Sequence, residues 1–126
     1  MNMILIVGLG GFIGAILRYL VSGWIQNGFT SFPTGTLSVN VIGSFFLSVI
    51  LYLSENKGLF SEETRVFLTI GILGAFTTMS TFSYESFRLL EAKDTLYLSI
   101  NIIATVLLTL FAVFLGKLFV LCIWRS

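Results

Sequence analysis

The thirteen charged side chains of this 126-residue chain are spread so unevenly that the gaps between them dictate its architecture. Residues 1–17, 19–54, 66–84 and 95–116 contain no Asp, Glu, Lys or Arg. Five charges fall between Glu55 and Arg65 and five more between Glu85 and Asp94, leaving only Arg18, Lys117 and Arg125 elsewhere. A helix of about 20 apolar residues crosses a bilayer. Inside lipid the backbone finds no water to bond, so an uncharged run of that length satisfies its own N–H and C=O groups by coiling. With 56% hydrophobic and 10% charged residues, a globule of this size could not hide its apolar surface from water. The chain reads as an all-α integral membrane protein.

The run from Tyr19 to Ser54 is too long for one span. It divides at the polar stretch from Gln26 to Pro33, where Pro33 suits the first turn of a helix and Thr30 or Ser31 can cap it. The first helix is therefore expected over about 3–25, carrying Arg18 with it, and the second over about 33–54. Ser61-Glu62-Glu63 opens a third, a cap followed by two carboxylates at the positive end of the helix dipole. That helix is predicted over 62–90 and a fourth over 95–122, giving four transmembrane helices in a single domain, 1–126. The apolar stretch from Met3 to Leu17 has no basic region before it and no small-x-small cleavage site after it, so it reads as a retained span rather than a signal peptide.

Several function classes fall away on composition. A net charge of +1 without a basic patch gives nucleic-acid binding no electrostatic footing. With no histidine and one cysteine, an intrachain disulfide, a Cys/His zinc site and a histidine-activated nucleophile are all impossible. Cys122 itself reads as a small buried hydrophobe. Orientation is nearly balanced: Lys57, Arg65, Lys117 and Arg125 lie on one side, Arg88, Lys93 and Arg18 towards the other. So small a bias either leaves orientation to other cues or permits insertion both ways, and with it an antiparallel dimer.

Four features carry chemistry. Gly8-x-Gly10 resembles the start of a dinucleotide fingerprint, but the third glycine position is Ile13 and no strand–helix context follows. Gly10 and Gly14 instead form a GxxxG pair that lets another helix approach closely. Arg18 either snorkels to the headgroups or faces a water-filled vestibule. Thr36, Asn40, Ser44 and Ser48 recur at steps of four along the second helix, and Asn101, Thr105 and Thr109 do so along the fourth. Such stripes glue helices together or line an uncharged polar pathway. Gly71, Gly74 and the run Thr77-Thr78-Met79-Ser80-Thr81-Phe82-Ser83 sit at the centre of the third span. They favour local unwinding, which mid-membrane is tolerated where the backbone lines a cavity or holds an ion, or else an ordinary kink satisfied by hydroxyls. In an antiparallel dimer such a break could lie on the two-fold axis and offer carbonyls from both chains to one cation.

Three blocks together resemble the CrcB/Fluc fluoride channels. They are Gly10-Gly11-x-x-Gly14-Ala15-x-x-Arg18-Tyr19, Pro33-x-Gly35-Thr36-Leu37-x-Val39-Asn40-x-x-Gly43-Ser44-Phe45, and Gly71-x-x-Gly74-x-x-Thr77-Thr78-x-Ser80-Thr81-Phe82-Ser83-x-Glu85. Length, span count and Asn101 fit as well, so the likeness covers essentially the whole chain. The resemblance implies a dual-topology antiparallel dimer in the bacterial cytoplasmic membrane, with the lipid bilayer around it and two fluoride pores for passive export. Some members of the family pair with a paralogue, and the presence of all three blocks here favours a homodimer. It implies that Thr36, Asn40, Met79, Ser80, Thr81, Phe82, Ser83, Asn101, Thr105 and Thr109 line the pore. Arg18 and Glu85 would stand at its vestibule and end, and the carbonyls of Gly74 and Thr77 would hold a structural Na⁺. One position departs from the family pattern: Met79 stands where Phe is usual, which supplies a thioether in place of an aromatic edge and implies altered conductance.

Three other readings compete with that one. A proton-coupled exporter of the small multidrug resistance type needs a carboxylate in its first helix, and no Asp or Glu precedes Glu55. A non-transporting assembly subunit would explain the glycines but not the polar stripes. An enzyme lacks a general base within the membrane apart from Glu85 at its edge, and no P-loop or soluble domain provides for ATP hydrolysis.

Overall fold

The computed structural model describes residues 2–28 and 31–125. All regular structure among them is helical: α1 (Met3–Gln26), α2 (Thr34–Lys57), α3 (Glu62–Val66), a π-helical segment (Phe67–Leu73), α4 (Gly74–Phe76), α5 (Met79–Glu91) and α6 (Thr95–Ile123). Four units are long and apolar enough to cross a membrane: α1, α2, the composite Glu62–Glu91 and α6. Their boundaries fall within three residues of those expected from the charge gaps.

The helix ends follow from local chemistry. Asn2 accepts from the N–H of Ile4, Ser61 from Thr64 and Asp94 from Tyr97, each side chain meeting a donor that the first helical turn leaves unbonded. Gly58 closes α2 in the left-handed region at φ 59°, where a side chain would be strained. The start of α2 departs from expectation. Pro33 occupies the cap position rather than the first turn, and no side-chain cap bond forms there. Ser31 does not cap, and Thr30 lies outside the described residues. The amide of Gln26, at the end of α1, takes over: its Nε2 donates to Phe32 O at 2.9 Å and its Oε1 accepts from Gly35 N at 2.9 Å. One side chain thus ties the two helices across their loop.

Packing is close where glycines face backbone. A Cβ on Gly10 would lie 2.7 Å from Phe67 O, and one on Gly14 would collide with Ile72 O. The close approach expected of this pair is therefore made with the third span. Gly116 does the same for α6 on α2, 2.8 Å from Phe45 O, beside the 2.6 Å bond from Ser48 Oγ to Val113 O. The buried core is small, built on Val39, Leu73 and Phe76. Most large apolar side chains point outward, including Leu107, Leu110, Phe111 and Phe114 of α6, as a lipid-facing surface requires. Cys122 is exposed on this surface rather than buried.

Candidate functional site

The third span unwinds at its middle. Thr77 (φ −90°, ψ 156°) and Thr78 (φ −152°, ψ 119°) are extended, separating α4 from α5. This is the break expected from the glycines and hydroxyls around it. Two backbone groups that the helix can no longer satisfy are met by one side chain from α2. Asn40 Nδ2 donates to Thr78 O at 3.1 Å, and Asn40 Oδ1 accepts from Thr78 N at 2.8 Å. An amide carries one donor and one acceptor side by side, so it stands in for a strand partner that lipid cannot supply. Thr78 then caps α5, its Oγ1 accepting from Thr81 N at 3.3 Å. Gly43, one turn beyond Asn40, leaves room for Thr77, whose methyl a Cβ would strike.

Beside the break lies a cavity of about 380 Å³. Its wall joins Asn40, Gly43 and Ser44 of α2, Thr69 of the π segment, Gly74, Thr77 and Thr78 at the break, Met79 and Phe82 of α5, and Thr105 and Thr109 of α6. None of these residues is charged. Ser44 Oγ donates to Asn40 O at 2.7 Å, Thr69 Oγ1 to Arg65 O at 2.7 Å, Thr77 Oγ1 to Leu73 O at 3.0 Å and Thr109 Oγ1 to Thr105 O at 2.6 Å. Thr105 Oγ1 is buried with no hydrogen-bond partner. Met79 is 72% exposed in the single chain.

The remaining expected site residues sit elsewhere. Thr36 and Thr81 line a separate cleft of about 190 Å³ with Arg18, Tyr19, Ser22 and Thr78. Thr36 Oγ1 also donates to Glu85 Oε1 at 2.7 Å, while Glu85 Oε2 is buried without a partner. Ser80 and Ser83 are exposed on α5. Asn101, only 1% exposed, donates from Nδ2 to Ser86 Oγ at 3.0 Å and joins α6 to α5 outside the cavity beside the break. Sequence reasoning did not single out Thr69 or the Thr78 backbone. The signal for Thr69 was present, since it is the only polar side chain between Arg65 and Thr77.

Among the described residues no cluster of His, Cys, Asp or Glu could hold a metal. The oxygens on offer to a cation here are uncharged, from backbone carbonyls, hydroxyls and the Asn40 amide. No loop or side-chain hydrogen bond among the described residues ends on the carbonyl of Gly74 or of Thr77.

Comparison with known proteins agrees with this architecture. The family model described as CrcB-like protein, Camphor Resistance (CrcB), matches residues 5–117. The chain is 66% identical over 118 residues to fluoride-specific ion channel FluC 1 of Methanosarcina acetivorans, covering 94% of this chain and 90% of that one. It is 50% identical to fluoride-specific ion channel FluC of Methanococcus maripaludis, covering 98% and 100%, and 48% identical to FluC of Campylobacter jejuni, covering 94% and 97%.

Proposed function

Because this chain belongs to the CrcB family, we propose that it is a fluoride-selective channel, working as an antiparallel homodimer with two pores in the cytoplasmic membrane. Its business is transport, not catalysis, as its relatives' names declare. The single observation that carries the reading is an uncharged, hydroxyl-lined and amide-lined cavity beside a helix break at mid-span.

Fluoride is small, strongly hydrated and an avid acceptor, so a pore must replace its water with donors. Asn40 keeps one Nδ2 hydrogen beyond the one it gives Thr78, and the hydroxyls of Ser44, Thr105 and Thr109 border the same space. Phe82 adds an aromatic edge, positive at its rim. The break adds a field of the right sign. α5 begins here, and its first N–H groups form the positive end of a 13-residue helix dipole, which favours an anion. The carbonyls closing the first half of the span form the negative end, and the same break would thereby suit a cation on its other side. Gly74 and Thr77 would hold the Na⁺ implied by the family likeness, where it would neutralise carbonyl dipoles between two chains. Thr36, Thr81 and Arg18 would form the approach, with Glu85 at its edge.

Proton-coupled cation export, the rival reading, is disfavoured by the lack of any carboxylate among the cavity residues. Liposomes loaded with fluoride or chloride separate the two. Purified protein is expected to release fluoride passively and rapidly while retaining chloride. Proton-driven cation uptake without fluoride release would overturn the proposal.

A further inference from the structure

The π-helical segment is an unusual stretch of a membrane span. Widened turns of this kind cost helical regularity and occur often at functional sites. Here the N–H of Gly74 reaches Thr69 O, five residues back, as well as Gly71 O. In a regular α-helix residues five apart face different directions. The wide turn brings Thr69 and Gly74 to one side, and both border the cavity beside the break with Asn40 and Thr105. Thr69 is also the lone polar side chain in the eleven positions 66–76, which otherwise hold only apolar residues and glycine. A hydroxyl bonded to its own helix, as Thr69 Oγ1 is to Arg65 O, is ordinary in a membrane. Here the π turn also sets Thr69 in the wall of the cavity. Thr105, another residue of that wall, has a buried Oγ1 with no hydrogen-bond partner among the described residues.

We infer that Thr69 is a further pore-lining residue, whose hydroxyl helps replace the water of a small hard anion on the side of the break away from Glu85. The inference rests on the channel reading above. It extends the polar lining to the first half of the third span, beside the donors of α2 and α6 that border the same cavity. The hydroxyl turns from Arg65 O to the anion.

Two conservative variants test this. Thr69→Val removes the hydroxyl and preserves shape, whereas Thr69→Ser keeps the hydroxyl and trims a methyl. Fluoride efflux from liposomes at low protein density gives two separate readouts: the fraction of vesicles that empty, and the rate at which each empties. A folding defect lowers the fraction, and a pore defect slows the rate. Thr69→Val is expected to slow the rate about tenfold at an unchanged fraction, the size of effect one lost hydrogen bond to an ion produces. Thr69→Ser is expected to stay within about twofold of the parent. Parental rates in Thr69→Val, a loss confined to the fraction of active vesicles, or equal slowing in both variants would each overturn the inference while leaving the channel itself intact. Absence of efflux from the parent protein would overturn the channel reading instead.

Discussion

Asn40 shows how much one residue can carry. Its amide is bonded on both ends to Thr78, so it holds the break open as well as facing the cavity. Asn40→Asp would keep an acceptor for Thr78 N but set a second oxygen against Thr78 O and a negative charge beside the proposed anion path. Fluoride efflux in liposomes is expected to fall at least tenfold, the scale of a charged acceptor replacing a hydrogen-bond donor. Gly43→Ala tests the neighbouring turn, where a methyl would meet Thr77. We expect a loss of about 1–3 kcal/mol from overpacking, read as a lower melting temperature in detergent. Met79→Phe restores a second ring at the cavity wall, and is expected to change the fluoride rate while preserving exclusion of chloride. At this scale the sequence was informative about residue type and blind to partners. The step-of-four stripe on α2 was plain, but the bond between Asn40 and Thr78 spans 38 positions and no local pattern announces it. Asn101 belongs to a similar stripe, yet its amide is spent on Ser86.

The third span is the element on which the molecule turns, and its second half begins with a cap at mid-membrane. Thr78 Oγ1 accepts from Thr81 N, so Thr78→Ala removes the cap and Thr78→Ser retains it. The alanine variant is expected to lose about 1 kcal/mol of stability relative to serine, measured by thermal unfolding in the same detergent. Where the break falls was legible, because glycines and hydroxyls concentrate at the centre of a charge-free run. How the adjoining turns widen was not, since the π segment Phe67–Leu73 has the composition of any apolar helix. The entrance to α2 was misread for a different reason. Pro33 and its polar neighbours suggested local capping, whereas the bonds come from Gln26, nine residues before Gly35. Helix ends were otherwise recovered to within three residues because Ser61 and the charge clusters mark them.

At the scale of the whole molecule, the near balance of positive charge bears on assembly. Four cations on one side against three on the other give little preference for either orientation, consistent with a dimer of oppositely inserted chains. Asn56, exposed at the end of α2, provides a reporter when Cys122→Ser removes the natural thiol. Asn56→Cys in that background should react with a membrane-impermeant maleimide in about half of the molecules of intact cells, and in all of them after permeabilisation. Labelling of all or none before permeabilisation would refute dual insertion. Span number and membrane residence followed from charge placement alone, for lipid punishes charge and unbonded backbone more severely than water rewards any particular packing.

The hydroxyls of Ser44, Thr69 and Thr109 each rest against a carbonyl of their own helix. That arrangement has a consequence in time. On the proposed pore reading, an ion moving past them would ask only for a turn about one side-chain bond, which takes picoseconds to nanoseconds, whereas movement of whole helices takes microseconds or longer. A wall built this way can re-form its bonds as quickly as the ion leaves, so passage need not wait for the backbone.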